Sequence, residues 1–130
     1  MFKIDNKIKE LLKYTDLVLL DIKHINDKKC KELTGFSNKL ELDFATYLSE
    51  NNIPIWIRQV IIPTITDDIK DLKNLKKFIS SLKTVEKIEL LQYHQLGKFK
   101  WEKLGYKYEL EKIPDATSED IEKAKKILEI

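Results

Sequence analysis

Ile88-Glu89-Leu90-Leu91-Gln92-Tyr93-His94-Gln95-Leu96-Gly97-Lys98-Phe99-Lys100-Trp101 passes from an apolar run into a polar, glycine-containing one. A short apolar run bounded in this way has the length of a buried strand, and its polar continuation falls where the strand ends and a loop begins. Two earlier segments repeat the arrangement. Leu17 to Ile22 is nearly continuous in Val, Leu and Ile and leads into Asp21 and Lys23, and Ile53 to Ile62 carries Trp56 and Arg58. Strands of this composition are covered on both faces, as in parallel sheets.

Helical spacing fills the intervals. Residues 6–13 place Ile8, Leu11 and Leu12 on one side, and residues 27–33 form a helical turn that ends near Gly35. Asn38 is a candidate cap for a helix to about Glu50 that turns Leu40, Phe44, Tyr47 and Leu48 inward. Thr66, with Asp67 and Asp68 behind it, favours a helix start, after which Ile69, Leu72, Leu75 and Ile79 make a buried stripe. The third strand is Glu86 to Gln92. Thr117 and Asp120 have the spacing of a capping box and open a helix whose Ile121, Ala124, Ile127 and Leu128 face one way. The fold class is therefore α/β: three consecutive parallel βα units in one domain spanning 1–130. Pattern alone fits a small doubly wound sheet or part of a (β/α) barrel.

Composition narrows the function classes. Of 24 basic residues only Arg58 is an arginine, and the net charge is +2. Phosphate-reading surfaces favour arginine forks, and the lysines of residues 70–77 and 123–126 alternate with acidic and buried-stripe positions, so nucleic acid is not an expected partner. Cys30 is the single cysteine, which leaves no internal disulfide and no cysteine-based metal framework. No leader opens the chain and no apolar run approaches the ~20 residues that span a bilayer. The expected location is cytoplasmic, without membrane attachment.

Ligands of parallel α/β sheets bind at the carboxyl ends of the strands, and each strand here has unusual polar residues there. Asp21 and Lys23 share a face above Leu19, Arg58 shares one with Trp56, and His94 follows Leu90 and Gln92 with Tyr93 on the other side. Two cations, a carboxylate and an imidazole at one mouth suit a small ligand with both carboxylate and amino charges. Blander readings exist for each: an ion pair for Asp21 and Lys23, a structural bridge for Arg58, a capping role for His94, and packing roles for Trp56 and Trp101.

The motif Tyr93-His94-x-Leu96-Gly97, with Thr15-Asp16-Leu17-Val18-Leu19-Leu20-Asp21-Ile22-Lys23 and Ile55-Trp56-Ile57-Arg58-Gln59-Val60-Ile61-Ile62-Pro63 before it, closely resembles the glycyl-radical-enzyme activating enzymes of the radical S-adenosylmethionine family. The resemblance covers roughly residues 6–128 and is nearest to the activators of pyruvate formate-lyase. It implies the second half of a six-stranded partial (β/α) barrel. It also implies an activity in which S-adenosylmethionine and a [4Fe–4S] cluster serve to abstract a hydrogen atom from a glycine of a partner enzyme. Carried over by motif, Asp21 would form a monovalent cation site beside the methionine carboxylate. Lys23 and Arg58 would line the S-adenosylmethionine cavity, His94 would contact the adenosine part, and Tyr93, Leu96 and Gly97 would shape that wall. The partner implied is a glycyl-radical enzyme, with pyruvate formate-lyase favoured.

Three departures qualify this. Gln92 stands where the family often has Pro, and Thr64 follows Pro63 where Gly is common. The family's Cys-x-x-x-Cys-x-x-Cys loop is missing, and iron–sulfur clusters need thiolates. The resemblance thus implies a C-terminal fragment with no cluster ligands, no catalytic residue of its own and no tightly bound cofactor. A free-standing module that binds a small anionic metabolite, or docks a glycyl-radical enzyme without chemistry, is the alternative. An apolar strand 17–22 left at a sheet edge predicts self-association there, or cover by the N-terminal helix.

Overall fold

The computed structural model describes residues 6–94 and 113–130. In chain order they form α1 (Asn6–Leu12), β1 (Val18–Asp21), α2 (Asp27–Thr34), α3 (Lys39–Glu50), β2 (Ile55–Ile61), α4 (Ile69–Ser80), β3 (Val85–Gln92) and α5 (Ser118–Leu128). The strands make one parallel sheet in the order β1-β2-β3. Consecutive parallel strands lying side by side are what crossover helices of this length produce.

One face of the sheet is covered. Leu20 of β1, Ile22 just past its end, and Ile55, Ile57 and Ile61 of β2 pack with Ala45 and Leu48 of α3, Leu72, Leu75 and Ile79 of α4, and Ala124 and Leu128 of α5. The helices are set by their ends. In α2 the Asn26 side chain accepts from Lys29 N–H, and Gly35 closes the helix at φ 83, where a side chain would clash. Asp68 caps α4 by accepting from Lys70 and Asp71 N–H. Thr117 and Asp120 of α5 form the reciprocal capping box.

Several expectations change. Thr66 is not a cap: its hydroxyl is buried, donates to the Val60 carbonyl and accepts from Ile62 N–H, which ties the loop back onto β2. Asn38 occupies the cap position of α3, but its side chain donates to the His24 and Ile25 carbonyls instead. Ile69 and Leu40 sit at helix starts beyond the sheet and are 60% and 62% exposed. In α1 only Leu12 is buried, while Ile8 and Leu11 remain exposed, so this helix does not offer an apolar face as cover for β1. Among the described residues β1 pairs with β2 alone.

The loop after β2 holds a local strain. Thr64 adopts φ 69, a left-handed conformation that costs a residue with a Cβ ~1–2 kcal/mol. Its N–H donates to Asp67 Oδ1 at 2.9 Å, which offsets part of that cost. Glycine relieves the clash but gains freedom in the unfolded chain. Thr64→Gly should therefore raise the unfolding free energy by about 0.5–1 kcal/mol. A urea midpoint that falls on this substitution would contradict the strain account.

Candidate functional site

The face opposite the helices carries the polar residues. Register places Leu19, Trp56 and Lys87 in one row across the sheet and Asp21, Arg58 and Glu89 in the next. Val60 and Leu91 pair in the row nearest the strand ends. In the lowest row Leu19 is 53% exposed, and Lys87 Nζ lies 4.8 Å from the centre of the Trp56 ring. In the middle row Arg58 Nε is 3.6 Å from Asp21 Oδ1 and 3.7 Å from Glu89 Oε2. Arg58 Nε is shielded from water and has no hydrogen-bond partner. The Arg58 side chain is one-third exposed, so these pairs contribute little stability.

Beyond this row the face closes. Val60, Ile62, Tyr93 and Ala116 pack with Leu33 into a second apolar cluster. Tyr93 is fully buried there, its N–H donating to the Ile61 carbonyl and its carbonyl accepting from Ala116 N–H. His94 is half exposed, with Nδ1 3.9 Å from Asp115 Oδ2. Asp21 and Arg58 are thus brought together, and Lys23 follows two residues past the end of β1. Tyr93 packs rather than lines an open cavity, and His94 is exposed beside Asp115. Leu96, Gly97 and Trp101 lie outside the described residues.

Asp21 pairs with Arg58 across the two strands. The backbone of Lys23 is held from two sides: its N–H donates to Glu41 Oε2 at 3.4 Å, and its carbonyl accepts from Gln59 Nε2 at 3.3 Å. Burial holds the Glu41 carboxyl above its ordinary pKa, against the opposing effect of the Lys23 N–H. Neither Glu41 nor Glu89 was singled out from sequence.

His24 organises the loop that follows β1. It is buried, and the network assigns the proton to Nε2, which donates to the Ile65 carbonyl at 2.8 Å. Nδ1 accepts from Asn26 N–H at 3.1 Å. Asp71, buried and paired with Lys29, lies 3.9 Å from Nε2. Burial lowers the His24 pKa below its ordinary value of 6.5, although the Ile65 carbonyl and Asp71 pull the other way. A proton bound by the unfolded chain and refused by the folded one makes stability rise with pH. Stability should be full above about pH 6.5 and fall as the pH drops from there toward the lowered folded-state value. Unfolding free energies measured across that window check the sign, and a flat or opposite slope attributable to His24 would refute it.

The charged groups of Asp21, Arg58 and Glu89 lie on the face of a parallel α/β sheet opposite its helices, and Asp21 ends β1, the end of a strand at which ligands of such sheets bind. No protein-family model matches the chain. Curated relatives do. The chain is 47% identical over 123 residues to the pyruvate formate-lyase-activating enzyme of Listeria monocytogenes, covering 95% of this chain and 50% of the relative. Identity to the Staphylococcus epidermidis enzyme of the same name is 50% over 115 residues, covering 88% and 46%. For the Escherichia coli pyruvate formate-lyase 1-activating enzyme it is 44% over 127 residues, covering 98% and 52%. A crystal structure of a domain of a pyruvate-formate lyase-activating enzyme from Bacteroides vulgatus shares the fold, with a TM-score of 0.76, 23% identity, and coverage of 96% of this chain and 69% of that one. The chain belongs to the glycyl-radical-enzyme activating enzymes, and it spans about half the length of the curated relatives it matches.

Proposed function

We propose that this chain is the C-terminal part of a pyruvate formate-lyase activating enzyme and supplies the S-adenosylmethionine-facing side of its cavity. The observation that carries the reading is the Asp21–Arg58–Glu89 row on the open face, in a sequence 44–50% identical to activating enzymes. Opposite charges on one row suit the amino and carboxylate groups of a methionine moiety. Arg58 and Lys23 would pair with the carboxylate, and Asp21 would hold a monovalent cation or the ammonium group beside it. His94, with Leu96 and Gly97, would meet the adenosine part over the packed Tyr93 ring. When bound, S-adenosylmethionine supplies the chemistry that removes a hydrogen atom from a glycine of the partner. The residues of this chain bind and orient it.

The [4Fe–4S] cluster does not fit the residues present. Cys30 is the one thiol in the sequence, buried in α2 with Sγ 3.8 Å from the Thr34 hydroxyl, and burial raises its pKa. Cluster ligation needs several accessible thiolates. The chain should hold no stoichiometric iron after anaerobic reconstitution. A charge-transfer absorption abolished by substituting Cys30 would overturn that and imply a cluster shared between chains.

The same single cysteine favours a second reading, a non-catalytic α/β module that binds a small anionic metabolite or docks a glycyl-radical enzyme. The genomic DNA upstream of Met1 separates the two. An in-frame cysteine-rich segment supports the activase, and a promoter with a start site supports the module. The biochemical test is a glycyl radical, detected by electron paramagnetic resonance in pyruvate formate-lyase when the complete protein, S-adenosylmethionine and reductant are present. No radical under these conditions sinks the activase reading.

In either case β1 lies at the edge of the sheet among the described residues. That edge is rich in Val and Leu, with no lysine or proline inside the strand to block pairing. We expect the isolated chain to form dimers or larger species at micromolar concentration, detected by sedimentation velocity. A monomer with fast amide exchange along Val18–Asp21 would contradict this. The expected partner is a glycyl-radical enzyme and the expected setting is the cytoplasm. Among the described residues no helix is long and apolar enough to cross a membrane.

A further inference from the structure

Glu89 faces Arg58 from β3 as Asp21 faces it from β1. The two separations, 3.7 Å and 3.6 Å, are nearly equal, and both exceed hydrogen-bond length. Arg58 Nε has no hydrogen-bond partner although water does not reach it. A guanidinium in that position is centred by two opposed attractions of similar size. With one removed, the other would draw it in until Nε–H formed a charge-assisted hydrogen bond.

We infer that Glu89 is a positioning residue that holds Arg58 midway between β1 and β3. Asp21 is then not consumed by a closed pair with the guanidinium, and both groups stay open to a ligand carrying one amino and one carboxylate charge. The inference rests on the proposed function, whose ligand is such a zwitterion. The surroundings leave Glu89 this task. Lys87, its neighbour on the same strand face, is drawn onto Trp56 one row below. On the β1 side Glu41 accepts from the backbone N–H of Lys23. Two carboxylates against one guanidinium leave the row with one negative charge, which suits the amino end of the ligand or a monovalent cation.

Arg58 is the only arginine in the chain, so its Nε–Hε group gives a single resonance in a proton–nitrogen spectrum. In Glu89→Gln the Hε resonance should move downfield and exchange more slowly with water, as Nε–H closes onto Asp21. Asp21→Asn should produce the reciprocal closure onto Glu89, and Glu89→Asp, which keeps the charge, should stay near the wild-type position. An Arg58 resonance unchanged in a folded Glu89→Gln variant overturns the inference. Should that variant fail to fold, an unchanged resonance in Asp21→Asn overturns it equally. In the complete enzyme, Glu89→Gln should weaken S-adenosylmethionine binding roughly tenfold and Glu89→Asp should restore it. Unaltered affinity in Glu89→Gln also counts against the positioning role. If the wild-type enzyme binds no S-adenosylmethionine while the Arg58 resonance still responds to Glu89→Gln, the proposed function fails and the balance of charges across the three strands stands.

Discussion

Replacing His24 by Ala should lower the unfolding free energy by about 2–4 kcal/mol. The side chain is buried between two loops and satisfies one backbone group in each, the Ile65 carbonyl and the Asn26 N–H. Alanine would leave both groups without a partner in a dry place, and a void where the ring had been. Asp71 would keep Lys29 but lose the imidazole near its carboxylate. Urea unfolding of the two proteins measures the loss, and a difference under about 1 kcal/mol would show that water or a loop shift replaces the ring. The variant should also lose the acid-side fall in stability assigned to His24. That second readout separates loss of this group from a general loosening of the loop.

The second large effect concerns binding. In the complete enzyme, Asp21→Ala and His94→Ala should each weaken S-adenosylmethionine binding by about 1–3 kcal/mol, the value of a polar contact to a charged group. The fold should survive, because Asp21 and His94 are both partly exposed. Arg58→Lys is a sharper comparison. An ammonium keeps the charge between Asp21 and Glu89 but loses the planar fork that pairs with a carboxylate, so affinity should still drop. Isothermal titration giving unchanged affinity for all three variants would return these residues to structural roles. A loss confined to His94→Ala would move the ligand away from the Asp21–Arg58 row.

How much of this was legible in advance depends on the range of the interaction. Strand and helix identities follow from local periodicity, and β1, β2, α5 and the capping box at Thr117 and Asp120 lie where the sequence pattern places them. Gly35 was readable as a helix stop because only glycine takes φ 83 without penalty. The shared face of Asp21 and Arg58 was readable because side chains alternate along a strand with a period of two. Leu40 and Ile69 were expected on buried faces and are exposed, and on the apolar side of α1 only Leu12 is buried. Helical spacing marks which residues share a side, but not how far the helix extends past the sheet that would cover it.

Sequence alone therefore determined the class of the fold, the order of its elements, the shared face of Asp21 and Arg58 and the resemblance that named the family. The tertiary structure decided what those charges touch. The register between β2 and β3 slips after Ile55: Ile55 pairs with Val85, but Trp56 pairs with Lys87, so Glu86 is passed over. Past that irregularity Ile88 and Leu90 turn to the core while Lys87, Glu89 and Leu91 turn to the open face. Simple alternation from Val85 would have put Glu89 among the buried helices. The slip brings its carboxylate to Arg58, and a pairing register is a joint property of two strands, fixed by how their buried faces match.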